Sequence, residues 1–168
     1  MTGLEKIREC MTEYLNGHGV RAIAAWPGES RRRLDGSVAA VSLRGCEAGP
    51  GGFRDYLGER YDPEGGVWRE LYGRKVRVTF GLDLYAPRES GAAGCQAAFD
   101  ALADALNGDG PAGLKLGELS RGEVVFDQGA GLFRCPAEAV CDAYLYAVAE
   151  EGGAFLEFEV KGYGNDGP

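Results

Sequence analysis

One histidine, His18, serves all 168 residues, and it stands between Gly17 and Gly19. Any Ser-His-Asp or Cys-His relay would have to pass through this loop position, and no GxSxG elbow accompanies it, so hydrolase chemistry of that kind is not expected. Five cysteines, Cys10, Cys46, Cys95, Cys135 and Cys141, are odd in number and form no CxxC pair. That pattern argues against a disulfide framework or a zinc site and for reduced, mostly buried thiols. Glycine-rich stretches such as 49–52 lack the GxxxxGK[ST] spacing and the lysine that would hold a phosphate, and read as turns. No apolar run approaches the roughly 18 residues of a membrane span, and the opening segment has no signal-peptide layout, so a cytosolic protein without membrane contact is expected. No catalytic residue, no cofactor site and no metal site is predicted.

A basic excess is missing too. Lys and Arg number 18 against 26 Asp and Glu, a net charge of −8, which disfavours specific nucleic-acid binding through a general basic face. Residues 1–84 hold thirteen cations against twelve anions, whereas 85–168 hold five against fourteen. Such asymmetry suits head-to-tail contacts between subunits.

What is present is a long alternation. From Arg74 to Pro87, Val76, Val78, Phe80, Leu82 and Leu84 take one face while Arg77, Thr79, Gly81, Asp83 and Tyr85 take the other. This predicts a long strand with one buried face, ended by Pro87, which has no N–H for a ladder. A second run, Leu132 to Ala149, predicts its partner. Before them, Thr2-Gly3-Leu4-Glu5 fits a capping box, and Leu4, Ile7, Met11, Tyr14 and Leu15 mark a helix stopped by Asn16-Gly17. Val20–Trp26 and Val38–Arg44 read as strands, Arg88–Gly94 as a loop, and Cys95 to Leu106 as a second, alanine-rich helix closed by Asn107-Gly108. Leu114–Leu119, Glu123–Phe126 and Phe155–Lys161 read as further short strands.

The stretch Phe53–Tyr72 is a hairpin by composition, turning at Asp62-Pro63-Glu64-Gly65-Gly66. Its Tyr56, Tyr61, Trp68 and Tyr72 lie beside arginines, a combination enriched in interfaces. These four, with the triple arginine Arg31, Arg32 and Arg33 of the loop after Pro27-Gly28, are the candidate interface residues. The alternative is a hairpin folded back on its own sheet. Asp83 and Asp142 would form a carboxylate pair if their strands set them opposite each other, although carboxylates on a wet sheet face are commonly just solvated. The predicted architecture is a single α+β domain over residues 1–161, an antiparallel or mixed β-sheet with two helices packed on one face and a protruding β-hairpin, followed by a tail at 162–168.

In the order of these elements, and in Ala24-Ala25-Trp26-Pro27-Gly28, the hairpin from Tyr56 to Tyr72 and Leu82-Asp83-Leu84-Tyr85-Ala86-Pro87, the chain resembles prophage-encoded tail proteins of firmicute bacteria. The nearest class is the tail-terminator or tail-completion family of long-tailed phages. The resemblance implies a structural, non-enzymatic virion protein that self-associates into a hexameric ring. It would meet phage tail-tube and head-completion proteins, in the bacterial cytoplasm during assembly and then in the virion tail. A head-tail connector or tail-tube subunit is the neighbouring alternative. A reading from another class is a small ligand-binding or enzyme module using the open sheet face, floored by Tyr85, Tyr144 and Tyr146.

Overall fold

A computed structural model describes residues 3–24, 34–50, 56–149 and 155–161. It is an α+β domain built on one mixed sheet. In chain order the elements are α1 (Gly3–Gly17), β1 (Ala22–Ala24), β2 (Val38–Pro50), β3 (Tyr56–Asp62), β4 (Val67–Pro87), a 3-10 turn (Arg88–Ser90), α2 (Gly91–Leu106), β5 (Lys115–Arg121), β6 (Val125–Asp127), β7 (Leu132–Cys135), β8 (Ala137–Ala149) and β9 (Phe155–Lys161). Only β1 against β2 is parallel; the other pairings among the described residues are antiparallel.

The alternating strand is the axis of the sheet. One edge of β4 pairs with β8 from Leu71↔Val148 to Gly81↔Glu138 and with β7 from Leu84↔Cys135 to Pro87↔Leu132. Leu84 lies three positions after Gly81 and Cys135 three positions before Glu138, so the register passes Pro136 without a gain or loss. The predicted run Leu132 to Ala149 is thus one strand in effect, interrupted where proline cannot donate. β5 and β6 follow each other along its outer edge, rejoined by the Gly122 N–H donating to Pro136 O at 2.8 Å. The other edge of β4 carries β2 between Arg74 and Tyr85 and β3 between Val67 and Tyr72.

Alternation along β4 decides the core. Val76, Val78, Phe80, Leu82, Leu84 and Ala86 are all at most 1% exposed, and they join Ala39 and Val41 of β2 and Ala137, Ala139, Cys141 and Ala143 of β8 in one apolar layer. Both helices close that same face. Ile7, Met11 and Leu15 recur at four-residue spacing and bury the inner stripe of α1, and Cys95, Leu102, Ala105 and Leu106 do so for α2. The helices are tied together by Tyr14 Oη, which donates to Ala105 O at 2.7 Å. The end of α1 is secured by Asn16. Its side-chain amide accepts from the Ala22 N–H at 2.9 Å and donates to the Ala22 carbonyl at 3.0 Å, taking the place of a strand beside β1.

Three expectations need correction. α2 begins at Gly91 directly after the 3-10 turn, where a loop to Gly94 was expected; small residues at 91–94 let the helix start against β4. The glycine-rich segment is no turn at its start, because β2 continues through Ala48↔Val76, Gly49↔Lys75 and Pro50↔Arg74. The first strand starts at Ala22, two residues later than Val20, and its expected end at Trp26 lies outside the described residues. The Thr2 cap, the Trp26-Pro27-Gly28 phrase, Arg31, Arg32, Arg33, Phe53 and the tail 162–168 lie outside the described residues. No helix among those described is long and apolar enough to cross a membrane.

Candidate functional site

The hairpin expected from composition forms at the free end of β4. Its turn is organised by Asp62, whose Oδ1 accepts the N–H groups of Glu64 at 3.0 Å and Gly65 at 3.2 Å, while its Oδ2 accepts from Arg69 Nε at 2.8 Å. The Arg69 bond and these backbone donors hold the Asp62 carboxyl below its ordinary pKa, favouring the charged form that makes the turn. Gly66 has φ +65°, the left-handed conformation that glycine enters without a steric cost, and its N–H donates to Asp62 O.

Two cross-strand aromatic pairs line one face of this arm. Tyr61 sits opposite Trp68 with ring centroids 5.5 Å apart, and Tyr56 opposite Tyr72 at 5.6 Å. By alternation Trp68, Glu70 and Tyr72 share the face of Val76, so the arm continues the core face of β4 beyond its helical cover. Trp68 is 66% exposed and Tyr61 50%, whereas Val76, eight residues on from Trp68, is 1% exposed. The tip of the arm is thus open on this face, while Leu71 nearer its base is fully buried. Glu59 and Glu70 form the pair between the two aromatic pairs, and Tyr72 Oη donates to Glu70 Oε2 at 2.5 Å. That bond, with partial burial and the Glu70 charge, raises the pKa of the Tyr72 phenol. A bulge at Leu57 lets Tyr56 regain register against Tyr72.

The opposite face of the sheet buries Leu71 near the arm and, farther along β4, is charged and internally matched. A bulge at Arg44 in β2 re-aims its side chain across β4, where Nη2 meets Asp83 Oδ1 at 2.5 Å and Nη1 meets Glu138 Oε1 at 3.0 Å. Arg134 Nη2 holds the other Asp83 oxygen at 3.1 Å. Gly81 makes the crossing possible, since a Cβ there would stand 2.5 Å from Ser42 Oγ and 2.6 Å from Arg44 Nε. Asp83 and Asp142 therefore do not form a carboxylate pair. Asp83 is clamped between two guanidiniums, while Asp142 lies opposite Arg77, at 3.6 Å, six residues or roughly 20 Å away along β4. Neither Arg44 nor Gly81 carried a sequence signal for this role, because a bulge leaves no mark in an alternation count.

His18 stacks on Tyr14, centroids 3.9 Å apart, with Nδ1 2.7 Å from Tyr14 O, on the rim of an open hollow that Asp104 and Asp109 also line. Among the described residues no group of three or more His, Cys, Asp or Glu is placed to hold a metal ion. At the other end of β4 from the arm, a groove of about 310 Å³ opens between α2 and the start of β2. Gly94, Ala97, Ala98 and Ala101 form its helical wall, Val38 and Leu84 its floor, and Arg21 is the one charged lining residue among those described.

The cysteines are free and mostly buried, as expected. Cys95, Cys135 and Cys141 are buried, Cys10 is half-buried and Cys46 is exposed. Burial pushes the Cys95 thiol up to about 11 and the Cys141 thiol up to about 12, which leaves almost no thiolate at neutral pH. With a maleimide at neutral pH, Cys46 is expected to react first and Cys10 more slowly, with Cys95, Cys135 and Cys141 reacting only on unfolding. Intact-mass analysis over time checks this; a third adduct forming in the native protein as fast as the first would contradict the packing.

No protein-family model matches the chain, and no curated protein matches it either.

Proposed function

We propose that the protein is a structural ring subunit of a phage tail, of the terminator or completion type, which caps the tail tube and joins it to the head. The observation that carries this reading is the aromatic arm: one strand serves as the centre of the helix-covered core and then runs out to present Tyr61 and Trp68 to solvent. Surface aromatics cost solubility, and a pair of this size set on a rigid ribbon is suited to burial between subunits. The net charge of −8 fits a bore through which DNA slides, since like charge disfavours phosphate contacts. The polar sheet face favours this reading over a ligand floor, because the carboxylate of Asp83 is already taken by Arg44 and Arg134.

Light scattering from micromolar to millimolar protein, with electron microscopy of the largest species, tests the proposal. A closed ring of fixed subunit number is expected. A monomer at every concentration would overturn it, and open-ended tubes would instead make the chain a tail-tube subunit.

A further inference from the structure

We propose that the groove beside α2 receives the Tyr61 and Trp68 pair of a second copy of this chain, so that arm and groove join subunits head to tail. The inference rests on the oligomeric reading above and adds to it the receiving site. Trp68 and Leu84 mark the two ends, both on the same face of β4 and sixteen residues apart, which is roughly 50 Å of extended strand. One hydrogen-bonded strand of that length cannot bring its own arm to its own groove. An arm seated in this groove therefore has to belong to another molecule.

Size and chemistry fit the match. At about 310 Å³ the groove stands at the bottom of the usual range of small-molecule pockets, about 300–1,000 Å³, and has room for large side chains rather than an extended ligand. Its helical wall is alanine and glycine, against which an indole or phenol ring can lie flat. Charge selects the pairing. Among the described residues, the carboxylates on the aromatic face of the arm are Glu59 and Glu70, and the groove's charged lining residue is Arg21. Arg21 now holds Asp35, whose side chain is 86% exposed, a surface pair that exchanges at little cost. Arm against arm would set Glu59 and Glu70 against their own copies, and groove against groove would oppose two Arg21 side chains; only arm against groove brings opposite signs together. A contact between two different patches is heterologous, and it closes into a ring when its rotation divides the circle.

Two substitutions at exposed positions test this, Trp68→Ala removing the knob and Ala97→Trp filling the groove. Each variant alone should melt like the wild type when dilute and associate about 30-fold more weakly or not at all. An equimolar mixture should form a heterodimer and nothing larger, since it contains a single intact arm-groove contact. If Ala97→Trp assembles like the wild type while Trp68→Ala does not, the groove is wrong and the arm reading survives. If the mixture stays monomeric, the head-to-tail pairing is wrong. If the wild type never associates, the ring reading itself has failed.

Discussion

Phe80→Ala is expected to remove about 3 to 5 kcal/mol of stability, a large share of the roughly 5–15 kcal/mol of an ordinary domain. Phe80 is fully buried, and the residues facing it across the strands are Leu43 and Ala139. The β8 side of this layer, Ala137, Ala139, Cys141 and Ala143, consists of small side chains on a paired backbone, which cannot collapse into the space a phenyl ring vacates. The loss should therefore fall toward the upper part of the range. Urea unfolding should show a lower midpoint at unchanged slope. Trp68→Ala, twelve residues earlier on the same face of the same strand, should leave the dilute monomer within about 0.5 kcal/mol of the wild type. Equal losses from the two truncations would mean that the arm is packed as core.

Gly94→Ala should destabilise by about 1–3 kcal/mol, although helix propensity alone would make it stabilising by about 0.8–1.0 kcal/mol. A Cβ at Gly94 would stand 2.5 Å from Ser90 Cβ and 3.2 Å from Ala86 Cβ. Both atoms are fixed to backbone, so relief requires lifting the start of α2 off β4. That movement would also open the contact in which Cys95 Sγ–H faces Leu84 O at 3.8 Å. Thermal melts decide the sign, and a variant more stable than the wild type would show that the helix start has slack the geometry does not reveal.

The sequence was most legible where one face of an element is buried and the other is wet. Alternation located β4, the β7–β8 run and their common face, and three- and four-residue spacing located both helices, because burial leaves a period in the side chains. It was less legible where backbone geometry rather than hydropathy decides. The extension of β2 through Gly49 follows from pairing with Lys75, which composition cannot express. The start of α2 at Gly91 depends on the close approach that the absent Cβ of Gly94 permits. At the site, the hairpin and its aromatics could be read from turn chemistry. The groove could not, since it forms only where β2, some fifty residues earlier in the chain, comes to lie beside β4 and α2.

The register of β4 also sets an order of events during synthesis. Phe80 pairs with Ala139, fifty-nine residues later, and Leu71 with Val148. At ribosomal rates of about 5–20 residues per second, roughly 3 to 12 s pass between making Phe80 and making the residue that closes its outer edge. Through that interval β4 is available to β2 and β3, both made before it, while its β8 edge remains open. An apolar strand waiting with one unpaired edge is a template for mispairing with another nascent chain. The ladder along this edge of the central strand is thus slow to complete, and the protein's yield in a cell should depend on how crowded the emerging chains are.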